Sequence, residues 1–364
     1  MPGTTTTPEI RLPPLEEIWQ WPRMVSPHLA DLEEECLQWT ASFGAFDPET
    51  QRRIHDKGKL NLLAGMCYAR LSREQVRSGC DIMHLFFMFD EYSDGGATPE
   101  EVWNQARVLT DAMTYPDKPR PEGEWVGGEV ARQYALLPCF YFSGTKLIQG
   151  DRFWLRLPKT YTETFRRRFL KTWVDYVEAV ARQAENRAVS KVLDADNYIV
   201  LRRDTSGAPS TLVMCELDLD IPDEIREHPI IEELFTLATD LILVANDILS
   251  YNKEQAACDV EHNLITVIMK QFQLDVQQAF DKAGEMCREK TDRFNALYRQ
   301  VPRWGGPVDL DVQKFVDGLA VCVGGTLHWS YESQRYFGTH GMEIKKSRTV
   351  RLLPQKSKVN DAGK

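Results

Sequence analysis

The run Phe235-Thr236-Leu237-Ala238-Thr239-Asp240-Leu241-Ile242-Leu243-Val244-Ala245 continues unbroken into Asn246-Asp247-Ile248-Leu249-Ser250-Tyr251-Asn252-Lys253-Glu254. Phe235, Ala238, Leu241, Ile242, Ala245 and Leu249 recur at steps of three and four, the period of a helix with one buried face. Asn246, Ser250 and Glu254 follow, each four apart. At about 100° per residue, successive members are offset by ~40°, so their oxygens line one side of the helix. Asn and Ser are mediocre helix formers because their side chains compete for backbone hydrogen bonds. Propensity therefore gives no reason to place them there. An amide oxygen, a hydroxyl and a carboxylate converging from one face make a hard-oxygen site of the kind Mg2+ accepts. The plain alternative is the solvated polar end of a core helix.

A second acidic stretch lies far upstream. Ile82-Met83-His84-Leu85-Phe86-Phe87-Met88-Phe89 is apolar nearly all round, and it ends in Asp90-Glu91-Tyr92-Ser93-Asp94 before Gly95-Gly96. Asp90 and Asp94 share a helix face, where like charges four apart repel by a few tenths of a kcal/mol. A helix C-terminus already carries partial negative charge, so carboxylates are unfavourable there. Acids so placed suggest bound cations; a solvated acidic turn is the alternative. Two oxygen-rich helix ends together imply a polyanion clamped between metals, with phosphate oxygens completing octahedral Mg2+ shells. Basic donors for it are Arg203, just before the break at Asp204–Pro209, then Lys253 and the pair Arg335-Tyr336. Each of these alone reads as a surface charge.

Length and composition set the frame. A chain of 364 residues, 43% hydrophobic and 27% charged, can bury a sizeable core as one large domain or two small ones. A net charge of −10 argues against nucleic acid as the main partner. No uninterrupted apolar run is long enough to span a membrane, and Met1–Pro14 lacks the pattern of a signal peptide. The eight cysteines show no CxxC spacing, which points to buried reduced thiols and a cytoplasmic location.

Taken in order, residues 1–14 read as a disordered N-terminus. Helical patterns cover Ser26–Thr40, Thr50–Leu71, Ser72–Asp94, Pro99–Met113, 128–142 and 158–203. Short helices at Thr211–Leu217 and Asp223–Glu227 lead into the central one. Val260–Gln271, Leu274–Tyr298 and Asp309–Phe337 follow. Strand alternation is scarce, and no repeat or Rossmann glycine pattern appears. The chain thus reads as a single all-α domain over 15–340. The basic tail 341–364 reads as mobile, with a flap over an anionic site as the sharper alternative.

On these motifs the chain resembles the class I terpene synthases, in particular fungal sesquiterpene synthases, over roughly residues 25–340. Asp90-Glu91-Tyr92-Ser93-Asp94 is similar to their aspartate-rich motif, with Glu91 where many members have Asp. Asn246, Ser250 and Glu254 match their second metal motif in full. Arg203 with Ser206 and Gly207 is placed like their diphosphate-sensing arginine and its helix break, and Arg335-Tyr336 like their terminal pair. The resemblance implies a helical bundle around a central apolar cavity. It implies three Mg2+ ions, with Asp90 bridging two and Asn246, Ser250 and Glu254 holding the third; Asp94 and Glu91 are less certain ligands.

Arg203, Lys253, Arg335 and Tyr336 would then bind the diphosphate, and Phe86, Phe87 and Trp329 would face the carbocation. The expected reaction is ionisation and cyclisation of farnesyl diphosphate to a sesquiterpene hydrocarbon, by a monomer or homodimer. The Asp-Glu-x-x-Asp form with this triad also resembles the relatives that make humulyl-derived tricycles such as protoilludene. Three rivals are weaker. A chain-elongating prenyltransferase normally carries a second aspartate-rich motif. A metal phosphohydrolase of the HD type would want paired His-Asp, and the one such dipeptide, His55-Asp56, lies apart in sequence from both oxygen-rich motifs. A non-catalytic helical scaffold has no use for both metal motifs.

Overall fold

In the structure, a computed structural model, residues 8–94, 97–135, 162–188, 194–257 and 262–355 are described. Helices run in the order α1 Leu15–Ile18, α2 Leu29–Ser42, α3 Pro48–Arg52, α4 Leu60–Cys67, α5 Arg73–Asp94, α6 Pro99–Thr114, α7 Gly127–Ala135 and α8 Glu163–Ala188. They continue as α9 Ala195–Thr205, α10 Ala208–Val213, α11 Asp223–Arg226, α12 Pro229–Ala257, α13 Leu264–Phe272, α14 Val276–Tyr298, α15 Val308–Glu332 and α16 Gly341–Ser347. Two three-residue strands, β1 Glu9–Arg11 and β2 Thr349–Arg351, pair antiparallel with Ile10 opposite Val350.

The opening stretch is the centre of the molecule. Helix α12 packs on α14 and α15, and buries Leu234, Ala238, Leu241, Val244 and Ile248. It is long and apolar enough to cross a membrane by composition alone, but 83% of its apolar window is buried in the bundle. That burial makes it a core helix. Around it, α4 packs on α5 and α15, α6 on α7 and α8, and α9 on α8 and α13. Starts are set by side-chain caps: Thr98 and Glu101 form a capping box on α6, Asp275 and Gln278 on α14, and Asp194 caps α9. Cys36, Cys67, Cys80, Cys215, Cys287 and Cys322 are buried free thiols.

Several expected boundaries shift. The helix expected over Thr50–Leu71 breaks into α3, a π-turn at Arg53–Gly58, and α4. Lys59 sits in the left-handed region at φ 49°, and the carbonyls of Gly58 and Lys59 accept from Trp329 Nε1 at 2.8 and 3.1 Å. A long-range indole donor replaces helical partners there. The pattern over 158–203 is two helices, with the N-cap Asp194 starting the second. The part of 128–142 beyond Ala135 lies outside the described residues.

The last helix ends at Glu332, not Phe337. Its C-cap Ser333 is extended (φ −79°, ψ 167°), so Arg335 and Tyr336 project from the turn beyond the helix.

Both termini need correction. Residues 8–14 and 341–355, expected to be disordered or mobile, belong to the fold. Burial of Ile10, Leu12 and Val350 outweighs the ordering cost. Asn252 Nδ2 donates to the Arg351 carbonyl (3.1 Å), and Leu353 N–H donates to Asn252 Oδ1 (2.8 Å). Gln255 Nε2 donates to the Leu353 carbonyl (2.7 Å). Lys345 is paired with Glu16 at 2.7 Å, so it is no flap residue here. Residues 1–7, and Lys356 and Lys358 of the tail, lie outside the described residues.

Candidate active site

The long apolar helix α5 and the central helix α12 bring their polar ends to opposite sides of one cavity of about 190 Å³. Phe86, Phe87 and Asp90 enter it from α5, Arg202 and Thr205 from α9, and Ile242, Leu243 and Asn246 from α12. Thr326 and Trp329 come from α15, and Arg335 and Tyr336 from the turn after it. The wall is aromatic for a local reason. Phe86 meets Tyr176 edge to face at 5.0 Å and packs on Trp173 at 5.4 Å, while Phe87 meets Trp329 at 6.0 Å. The indole N–H of Trp329 is tied to the carbonyls of the α3–α4 break, which fixes its ring orientation.

On the α5 side, Arg335 Nη2 binds Asp90 Oδ2 at 3.0 Å, and its guanidinium lies 4.4 Å above the Phe87 ring. Burial pulls the Arg335 pKa down, but Tyr336 and Asp90 outweigh it and hold it raised. Glu91 points elsewhere and pairs with Arg53. Asp94 ends α5, and its side chain lies outside what the structure describes. Lys253 is not among the residues lining the cavity; desolvation by the surrounding protein first and the charge of Arg335 second push its ammonium pKa down.

On the α12 side, Asn246 Oδ1 accepts from Arg202 Nη2 at 2.9 Å, and its Nδ2 donates to the Tyr336 hydroxyl at 2.8 Å. Burial raises the Tyr336 pKa further above its ordinary value. Ser250 is buried, and Glu254 Oε2 accepts from Asn263 Nδ2 at 2.9 Å. Burial first, and the charge of Asp247 second, raise the Glu254 carboxyl from 4.5 to about 7, against hydrogen bonds from Asn263 and Ser250. Asp247 faces away from the cavity and organises its surroundings. It accepts from Tyr198 Oη at 2.5 Å, Arg202 Nε at 3.1 Å and Leu264 N–H at 3.0 Å.

A divalent cation fits this donor set. Three hard oxygens share one helix face, and one belongs to a desolvated carboxyl whose charge a cation would offset. Among the described residues no cluster of three His, Cys, Asp or Glu offers a rival centre.

The two neighbouring arginines of α9 have different partners. Arg203, expected on the diphosphate, makes a bidentate pair with buried Asp240 (2.7 and 3.0 Å), which Lys290 also binds at 2.6 Å. The arginine of α9 that lines the cavity is Arg202. Adjacent helix positions diverge by about 100°, and the two guanidinium groups accordingly meet different partners. Tyr198, Arg202 and Thr205 form one face row of α9, while Arg203 shares a row with Ile199; which row meets the cavity is decided by packing. Two further contributors, Tyr176 and Asn263, were also missed. An Asn directly before the apolar run Leu264–Met269 is a cap signal that the expected start at Val260 obscured.

Comparison with known proteins places this architecture. By fold it is similar to a-eudesmol synthase (TM-score 0.73, 22% identity, covering 86% of this chain and 97% of that one). It is likewise similar to wild-type cucumene synthase (TM-score 0.69, 21% identity, covering 86% and 99%). The fold is therefore that of the helical terpene synthases. The family model described as terpene synthase family 2, C-terminal metal binding, matches residues 81–293. Named relatives include a Delta(6)-protoilludene synthase of Armillaria gallica, 40% identical across 95% of this chain and 94% of that protein. A second, of Stereum hirsutum, is 39% identical across 95% and 88%. Sesquiterpene synthase 14 of Postia placenta is 34% identical across 95% and 93%. The chain belongs to terpene synthase family 2.

Proposed function

We propose that this chain is a Mg2+-dependent sesquiterpene synthase that ionises farnesyl diphosphate and cyclises the cation, through a humulyl-type intermediate, to a tricycle of the protoilludene class. The observation that carries the reading is the facing of Asp90 and Asn246 across one aromatic-walled cavity. The names of the relatives support the substrate length and the product class.

Asp90 would hold two of three Mg2+ ions, and Asn246, Ser250 and Glu254 the third, with Asp94 as a further candidate ligand. Bound there, the ions neutralise the departing diphosphate. Arg202 donates to Asn246 Oδ1 and Arg335 to Asp90 Oδ2. With cations held at those oxygens, both guanidinium groups would be free to turn toward diphosphate oxygens, where a fork of N–H donors matches the anion. Lys253 and Tyr336 add further donors, and Arg203 serves from behind by anchoring α9 to Asp240.

Phe86, Phe87, Tyr176 and Trp329 line the cavity, and an aromatic face stabilises a nearby cation by about 0.5–2 kcal/mol. Thr211 and Thr326 hydroxyls donate to the Gly207 and Cys322 carbonyls (3.1 and 3.0 Å), so their protons are committed to backbone. The apolar wall excludes water that would quench the cation.

The test is incubation of the purified chain with Mg2+ and, separately, geranyl, farnesyl and geranylgeranyl diphosphate, followed by gas chromatography–mass spectrometry. A cyclic fifteen-carbon hydrocarbon from farnesyl diphosphate supports the reading. Chain-lengthened diphosphates formed with added isopentenyl diphosphate, or no product from a folded chain with Mg2+, overturn it.

A further inference from the structure

Asn263 is fully buried, and it is the N-cap of α13. Its Oδ1 accepts from Ile265 N–H at 2.9 Å. That bond settles the orientation of the amide, because a flip would set Oδ1 against a carboxylate and the NH2 against an N–H. The NH2 therefore faces α12. It donates to the Asp247 carbonyl at 2.8 Å and to Glu254 Oε2 at 2.9 Å, with Ser250 Oγ at 3.5 Å. One amide nitrogen thus touches two of the three oxygens proposed as metal ligands.

Its own placement is enforced from both sides. The preceding His262 carbonyl accepts from Tyr198 Oη at 2.7 Å, and the following Leu264 N–H donates to Asp247 Oδ2 at 3.0 Å. Asn246, at the other end of the ligand row, is held differently: its amide is bound by Arg202 and Tyr336, which line the cavity.

We propose that Asn263 is a positioning residue for the metal site: its amide spends one N–H on the Asp247 carbonyl and the other on the Glu254 carboxylate, orienting that carboxylate toward the cation and staying on it when the metal is bound. This rests on the proposed role of Asn246, Ser250 and Glu254 as ligands. The chemistry requires a pure donor with two N–H groups and an oxygen on the far side to cap α13, which is an Asn or nothing of this size. A carboxylate has enough lone-pair positions to accept the amide while it ligates a cation, and such outer contacts set ligand orientation and basicity.

The test uses calorimetric titration of the full chain with Mg2+ in the presence of inorganic pyrophosphate. Asn263→Ser keeps a capping oxygen but has no N–H2 and cannot reach Glu254. It is expected to weaken Mg2+ binding on the order of 10–100-fold with an unchanged helical circular dichroism spectrum. Asn252→Ala loosens the opposite side of the same helix, where Asn252 holds the C-terminal strand, and is expected to bind Mg2+ as the parent does. Equal losses in both variants, or no loss in Asn263→Ser, overturn the proposal and leave Asn263 as a helix cap only. If Asn263→Ser does not fold, a crystal structure of the parent chain with Mg2+ and pyrophosphate decides: Nδ2 within hydrogen-bond distance of the Glu254 carboxylate supports the proposal, and an amide turned away overturns it. Failure of the parent chain itself to take up Mg2+ with pyrophosphate would instead sink the ligand reading of 246, 250 and 254.

Discussion

Two neighbouring arginines with different fates test the site at the level of single side chains. Arg202 lines the cavity and touches both Asn246 and Asp247, whereas Arg203 closes a buried pair with Asp240. Arg202→Ala is expected to lower turnover about 10²–10³-fold, the cost of losing one preorganised donor at a developing anion. Arg203→Ala should cost stability instead, on the order of 3 kcal/mol, because Asp240 is left with Lys290 alone. Product assays and urea melts on the two variants separate these roles, and the reverse pattern would restore Arg203 to the diphosphate. Glu254 adds a pH signature. Its folded pKa, about 7, lies above the ordinary 4.5, so the native state binds more protons than the unfolded chain between those values. Stability of the protein without added metal should be fully present below about pH 4.5 and fall as pH rises through 7, by roughly 3 kcal/mol for this group. Glu254→Gln should flatten that part of the slope of melting temperature against pH.

At the scale of elements, what was legible was whatever the local pattern determines. The face of α12 follows from the spacing of its apolar residues, and α5 from its unbroken hydrophobic run into Asp90. Less legible were events decided by distant partners. The break between α3 and α4 depends on an indole N–H some 270 residues away. The end of α15 at Ser333, which turns Arg335 and Tyr336 into the cavity, follows no proline or glycine. Choosing Arg202 over Arg203 required knowing which face of α9 meets α12, a fact of packing that periodicity in an eleven-residue helix barely encodes.

The strand clip was invisible for the same reason, since three-residue strands carry almost no alternation. It is testable. Deleting residues 348–364 removes buried Val350, uncovers Ile10, and releases Asn252 and Gln255 from the C-terminal segment. The loss should be on the order of 3 kcal/mol, read as a lower urea midpoint. An unchanged midpoint would return the tail to the mobile role that its basic composition suggested. Gly207, between α9 and α10, is a second such point. At φ +66° any Cβ is strained, and it would stand 3.4 Å from Phe86 and 3.5 Å from Tyr176. Gly207→Ala should cost about 1 kcal/mol or more and alter the ratio of products, as the aromatic wall is displaced.

For the molecule as a whole, the question is whether folding depends on the ions. The core of α12, α14 and α15 is built from apolar contacts that involve none of the proposed ligands. The oxygens proposed to bind metal lie near the end of α5 and in the C-terminal half of α12, where Arg202, Arg335 and Asn263 already satisfy part of their hydrogen bonding. Chelation should therefore abolish turnover while leaving the helical spectrum intact, unlike small domains in which metal binding is itself the folding energy. Adding Mg2+ with pyrophosphate should then raise stability by mass action, about 2.7 kcal/mol when the ligand stands at a hundred times its Kd. The same addition to Asn246→Leu or Asp90→Asn should give little or no rise, because each variant lacks one side of the clamp. A full rise in either variant would mean that pyrophosphate is held by the arginines alone and that the two oxygen-rich helix ends do not act together. Thermal melts of the three proteins, with and without Mg2+ and pyrophosphate, distinguish a two-sided clamp from a merely basic pocket without requiring that the product be known.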